Sequence, residues 1–125
     1  MSILADSPQP IYVQIADWLK NEILADRLQE NDKVYSQYQL AEMFNINPAT
    51  AGKGLTILLE EQLIYKKRGL GMFVEEGARN IILKTRKNQT LQKLIFDVVD
   101  EARRVAIQDD ELIEWIQRIQ REGKK

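Results

Sequence analysis

Three groups of side chains in this 125-residue chain carry chemistry suited to a phosphate-lined partner. The first is Asn47-Pro-Ala-Thr-Ala-Gly-Lys53. Asn47 is a strong helix N-cap and Pro48 a favoured first helical residue, so a helix opens here and carries Ala49, Thr50 and Lys53 in its early turns. In a DNA major groove Asn can pair with adenine, Thr can meet a thymine methyl, and Lys can reach guanine or a phosphate. The plain alternative is an ordinary capped helix with Lys53 as a solvated charge. Gly52 and Gly54 fall inside that helix, where each costs on the order of 1 kcal/mol relative to Ala. A bare helix face lets the backbone approach a groove, or lets two helices pack closely. The second group is Lys66-Lys67-Arg68 with Gly69 and Gly71, a cationic turn. Its glycines permit positive φ and close approach to a phosphate or a minor groove; its charges also suit the protection of an edge strand. The third group, Ser36-Gln37-Tyr38, starts a short helix whose N-terminus attracts phosphate and whose Tyr38 can donate a phenolic hydrogen bond. Packing of Tyr38 on Tyr35 is the competing use.

Other chemistries are excluded by composition. The chain has neither Cys nor His. That removes disulfides, thiolate or histidine zinc sites, cysteine nucleophiles and the Ser-His-Asp triad. No phosphate-binding loop of the G-x-x-x-x-G-K-[ST] type and no dinucleotide glycine fingerprint is present. The reading is therefore not an enzyme, and no cofactor is expected. The N-terminus lacks a signal-peptide pattern and no apolar run is long enough to span a bilayer, so a cytoplasmic protein without membrane contact is expected.

The elements that must position these groups follow from periodicity. Ile11, Ile15, Leu19 and Ile23 recur four apart after Pro8-Gln-Pro10 and predict an amphipathic helix over about 11–26, preceded by a loose lead-in over 1–9. Gln29-Glu-Asn-Asp-Lys33 reads as a turn. Ser36-Gln-Tyr-Gln39 is a capping-box pattern and opens a helix with Leu40, Ala41 and Phe44 inward. After a tight turn at Asn45-Ile46, the Asn47-capped helix runs over about 48–61. Leu63-Ile-Tyr65 and Met72-Phe-Val74 flank the basic turn and predict a β-hairpin. The expected architecture is mainly α with a small β-hairpin: a winged helix-turn-helix over 1–76, then a helical tail over 77–125.

The tail carries Leu91, Leu94, Ile95, Val98 and Val99 on one helical face. Gln108-Asp109-Asp110 interrupts the pattern, and Asp109 or Asp110 is placed to cap a last helix bearing Leu112, Ile113, Ile116 and Ile119. Gly123-Lys-Lys125 ends it. These faces are expected to bury against a second copy, and a C2 dimer supplies the two-fold symmetry that a palindromic DNA site requires. An intramolecular cap is the alternative. Trp18 and Trp115 read as core or interface aromatics. Charge is unevenly spread: residues 1–75 hold 7 basic and 10 acidic side chains, and 76–125 hold 11 and 9. A net-acidic first part must concentrate its few cations at any contact surface. Arg79, Lys84, Arg86 and Lys87 cluster just after the hairpin.

With that order in place, the sequence resembles the GntR family of bacterial transcription regulators. The resemblance is carried by Pro10-Ile-Tyr-Val-Gln-Ile15, Ser36 with Leu40-Ala41, Asn47-Pro-Ala-Thr50 with Lys53, and Lys67-Arg-Gly-Leu-Gly-Met-Phe-Val74. The short helical tail resembles the YtrA-type branch, which lacks a large effector domain. The departures are specific. Tyr38 stands where the family usually has a DNA-contacting Arg, Gly52 and Gly54 where it has Ala or larger residues, and Gln62 where it has Gly. The resemblance implies a homodimeric, sequence-specific transcription regulator that acts as a repressor on a palindromic double-stranded DNA operator, with an ABC transporter operon as its target. A small-molecule effector would have to bind between winged helix and tail, or at the dimer interface. The alternative is a winged-helix module that binds protein instead of DNA.

Overall fold

Pro10 cannot donate a backbone hydrogen bond, and the first helix starts directly after it. In the computed structural model, which describes residues 7–123, α1 spans Ile11–Leu24, and the Pro10 carbonyl accepts from Val13 and Gln14 N at 3.1 and 3.2 Å. The first six residues of the expected lead-in, and Lys124 and Lys125, lie outside the described residues. Asp26 adopts φ 62 beyond the end of α1, and Arg27 and Leu28 N both donate to the Glu22 carbonyl. The Glu22 side chain is 10% exposed and meets Arg27 at 2.9 Å. That hydrogen bond, with the Glu22 charge, raises the Arg27 pKa, so the buried carboxylate keeps a permanent counter-ion.

The expected capping box is formed. Ser36 Oγ accepts from Gln39 N at 3.1 Å, Gln39 Oε1 accepts from Ser36 N at 2.8 Å, and α2 runs Gln37–Phe44. Asn45 closes it at φ 55. Asn47 Oδ1 then accepts from Ala49 N at 2.8 Å and opens α3, Pro48–Glu60. Helix α3 ends on a left-handed Gln62 (φ 61), with Leu63 N bonded to the Leu58 carbonyl and Gln62 N to that of Leu59. This is a Schellman closure at a position where glycine is the unstrained residue.

Strands β1 (Ile64–Lys67) and β2 (Gly71–Val74) pair antiparallel, with Ile64 opposite Val74 and Lys67 opposite Gly71. A third arm joins them. Val34 N donates to Met72 O and Asn31 N to Val74 O, each at 2.8 Å, around a Lys33–Phe73 bridge. The turn expected at 29–33 is present, closed by Gln29 N on Asp32 Oδ2, but its far end is a sheet edge. Local pattern could not reveal this, because the pairing partner is about forty residues away.

Ile15, Leu19, Leu40, Leu55, Leu58, Leu63 and Val74 are fully enclosed between the helices and the sheet. Helix α4 (Ala78–Thr85) adds Ala78 and Ile82 to this core. The first compact unit therefore ends at Lys84 rather than at 76. It is a winged helix-turn-helix.

The second unit begins at Thr85. It contains a π-helical turn (Arg86–Leu91), α5 (Gln92–Arg104) and α6 (Asp109–Glu122). None of its described residues is buried. The expected aspartate cap is not formed. Gln108 is the N-cap and makes no side-chain bond, while Asp109, Asp110 and Glu111 occupy the first turn, where their charge complements the helix dipole. No helix among the described residues is long and apolar enough to cross a membrane.

Candidate nucleic-acid interface

Helix α3 packs against α1 and α2, and its two glycines serve different faces. A Cβ on Gly54 would stand 2.8 Å from Ile15 Cγ2 and 3.0 Å from the Tyr12 carbonyl oxygen, so this glycine permits the close crossing of α1 and α3. Gly52 faces the other way, toward the side-chain amide of Gln37. The outward stripe of α3 reads Ala49, Lys53 and Thr56, with Gly52 between them and half exposed. Thr50, in the first turn of α3, is half exposed and flanks this stripe. The Asn47 side-chain oxygen accepts the cap bond from Ala49 N, which leaves its amide N–H groups and one lone pair of that oxygen unused by the cap. Thr56 was not among the expected residues, although its spacing from Ala49 and Lys53 was the available signal. Its hydroxyl donates to the Gly52 carbonyl at 3.0 Å.

At the second group, Lys66, Lys67 and Arg68 are exposed on the hairpin. Gly69 has φ 78 and Gly71 φ 118, both in the region that side chains other than glycine's disfavour. Gly71 is also pressed: a Cβ there would lie 2.9 Å from Lys33 Cε. Lys33 thus extends beside β2 toward the turn end of the hairpin and adds a cation that the sequence reading missed. Its only sequence signal was its charge, since the bridge that brings it in is non-local. Lys67 Nζ lies 4.9 Å above the Phe73 ring, and Lys53 Nζ 5.8 Å from the Tyr12 ring centre.

Electrostatic partnering separates the cations of this unit into two sets. Lys20 pairs with Glu61 at 2.8 Å, Arg27 with Glu22, and Arg79 lies 3.8 Å from Asp26 while donating to the Leu24 carbonyl. Lys33, Lys53, Lys66, Lys67 and Arg68, together with Lys84 at the end of α4, form no ion pair among the described residues. They remain available to an external anion.

At the start of α2, Ser36 and Gln39 are absorbed by the capping box. Tyr35 instead meets Trp18 at 5.7 Å, and Trp18 meets Phe44 edge-on at 5.1 Å. Tyr38 is left 69% exposed. In the second unit Leu91, Leu94, Ile95, Val98, Ile113, Ile116 and Ile119 are all exposed, while Val99 and Leu112 are half-buried. Phe96, outside the expected set, is also exposed. Val98, Ala102, Val105, Ile107, Leu112 and Trp115 line an open groove of about 380 Å³.

No family model matches the chain. The HTH-type transcriptional repressor NagR of Bacillus subtilis is 38% identical over 76 residues, covering 61% of this chain and 31% of NagR, so the chain spans under a third of that relative. The HTH-type transcriptional repressor YtrA of the same organism is 29% identical over 118 residues, 94% of this chain and 90% of YtrA. Among solved structures, a chain described as a transcriptional regulator of the GntR family from Bacteroides thetaiotaomicron is 30% identical. It superposes with a TM-score of 0.75 over 91% of this chain and 100% of that one.

Proposed function

Because the chain belongs to the GntR family of transcription regulators and is of the YtrA type, we propose that it is a DNA-binding repressor that works as a homodimer on a palindromic operator. The observation that carries the reading is that Lys33, Lys53, Lys66, Lys67 and Arg68, on α3, the hairpin and the strand edge beside it, form no ion pair among the described residues, whereas Lys20, Arg27 and Arg79 are held by carboxylates or a carbonyl. Cations left without partners on a net-acidic unit suit phosphate contacts, which supply affinity, while the stripe on α3 supplies sequence preference. The homodimer rests on the apolar faces of α5 and α6, which find no cover within their own unit. A second copy offers the same faces and the two-fold symmetry of a palindrome. Occlusion of a promoter is the mechanism, and the resemblance extends the target to an ABC transporter operon.

Titration of duplex binding against salt tests the reading. Five such cations per subunit give about ten per dimer, so log K against log salt should fall with a slope of roughly -5 to -9. A flat response, or no binding to any duplex at low salt, overturns it and leaves the winged helix as a protein-binding module.

A further inference from the structure

Gln37 opens α2, and its side chain reaches across to the bare backbone of α3. A Cβ on residue 52 would stand 3.2 Å from Gln37 Oε1, 3.6 Å from Cδ and 3.8 Å from Nε2. The amide therefore occupies the space next to Gly52 that a side chain at that position would enter. It forms no hydrogen bond among the described residues, whereas the neighbouring Ser36, Gln39 and Asn47 are spent on helix caps. Gln37 is half exposed, so it presents one donor and one acceptor beside the outward stripe of the candidate recognition helix.

We propose that Gln37 is a base-reading residue, delivered to an adenine edge through the gap at Gly52. The inference rests on the DNA-binding reading above and adds a specificity contact from α2 to those of the stripe on α3. A carboxamide pairs with adenine by donating N–H to N7 and accepting from N6. Rotation about the last torsion of Gln exchanges its two ends, so either amide orientation serves. On the stripe itself Ala49 offers a methyl group, the Thr56 hydroxyl is turned back on the Gly52 carbonyl, and Lys53 offers donors only, so none of the three pairs with both the N7 and N6 groups of an adenine. Gly52 contributes by absence, because a helix without a side chain there can sit closer to the groove floor and bring Gln37 within reach.

The test is selection of bound sites from randomised duplex DNA by the full chain, by Gln37→Ala and by Gly52→Leu, followed by affinities on defined duplexes. The full chain should recover one A·T pair placed symmetrically in each half-site. Gln37→Ala should lose about 5- to 150-fold of the discrimination at that pair, while its affinity for random DNA stays within about twofold. Gly52→Leu, which fills the gap with a better helix former, should flatten the same pair without lowering the melting temperature. Uniform weakening by Gln37→Ala on all duplexes would show a phosphate contact and overturn the proposal. Retention of the preference by Gly52→Leu would overturn the role of the gap. If the unaltered chain retains no duplex at all, the DNA reading falls along with it.

Discussion

Between Ile11 and Ile82 the chain encloses the apolar faces of four helices and a hairpin around one core, whereas between Leu91 and Ile119 apolar faces of the same kind lie open. Both regions show helical periodicity in Leu, Ile and Val, so amphipathicity states that a face needs covering without saying what covers it. In the first unit the cover is intramolecular, and substitutions there act on folding. In the second it must come from outside the unit. Exposed contacts such as Lys93–Asp97 at 2.8 Å cannot replace it, since surface pairs contribute little.

The contrast can be sharpened by substitutions of decreasing effect. Leu55, fully buried in α3, should cost about 2–5 kcal/mol of unfolding free energy as Leu55→Ala, measured by urea titration, with no change in the subunit dissociation constant. Ile116→Asp should do the reverse. It should weaken the proposed self-association by about 2–4 kcal/mol in sedimentation equilibrium by placing a charge on the apolar face of α6, and leave the unfolding of the first unit unaltered. Chains ending at Lys84 should be folded monomers; chains ending at 76 lose Ala78 and Ile82 from the core and should melt lower. If Ile116→Asp stays dimeric, the contrast between the units is broken.

Smaller effects test the glycines and their substitute. Gly54→Ala drives a methyl into Ile15 and the Tyr12 carbonyl and should destabilise by about 1–3 kcal/mol despite better helix propensity. Gly52→Ala meets only the movable end of Gln37 and should stabilise by up to about 1 kcal/mol. Gln62→Gly should relieve the left-handed strain after α3 and stabilise by about 0.5–1 kcal/mol. Thermal melts of the three variants side by side give the order directly.

Most of the first unit was legible because its signals are local. The Ser36–Gln39 box, the Asn47–Pro48 start and the alternation around the basic turn each act within a few residues. What escaped depends on distant partners. Lys33 joins the hairpin only through its bridge to Phe73, and Ala78 and Ile82 belong to the core rather than to the tail because of where α4 packs. The two glycines of α3 were equivalent in sequence, and only the neighbours facing them, Ile15 and Gln37, assign one to packing and leave the other open.

The pairing of residues 31–34 with β2 has a kinetic consequence. It closes a loop of about forty residues that contains the whole of α2 and α3. Gathering such a loop carries an entropic penalty before any sheet contact compensates it, so the bridge should form late, after the two short helices have docked on α1. Opening of that seam would free residues 31–34 from β2 while α2 and α3 stay packed on the core. The seam amides of Asn31 and Val34 should therefore exchange ahead of those in the middle of α2 and α3 under native conditions.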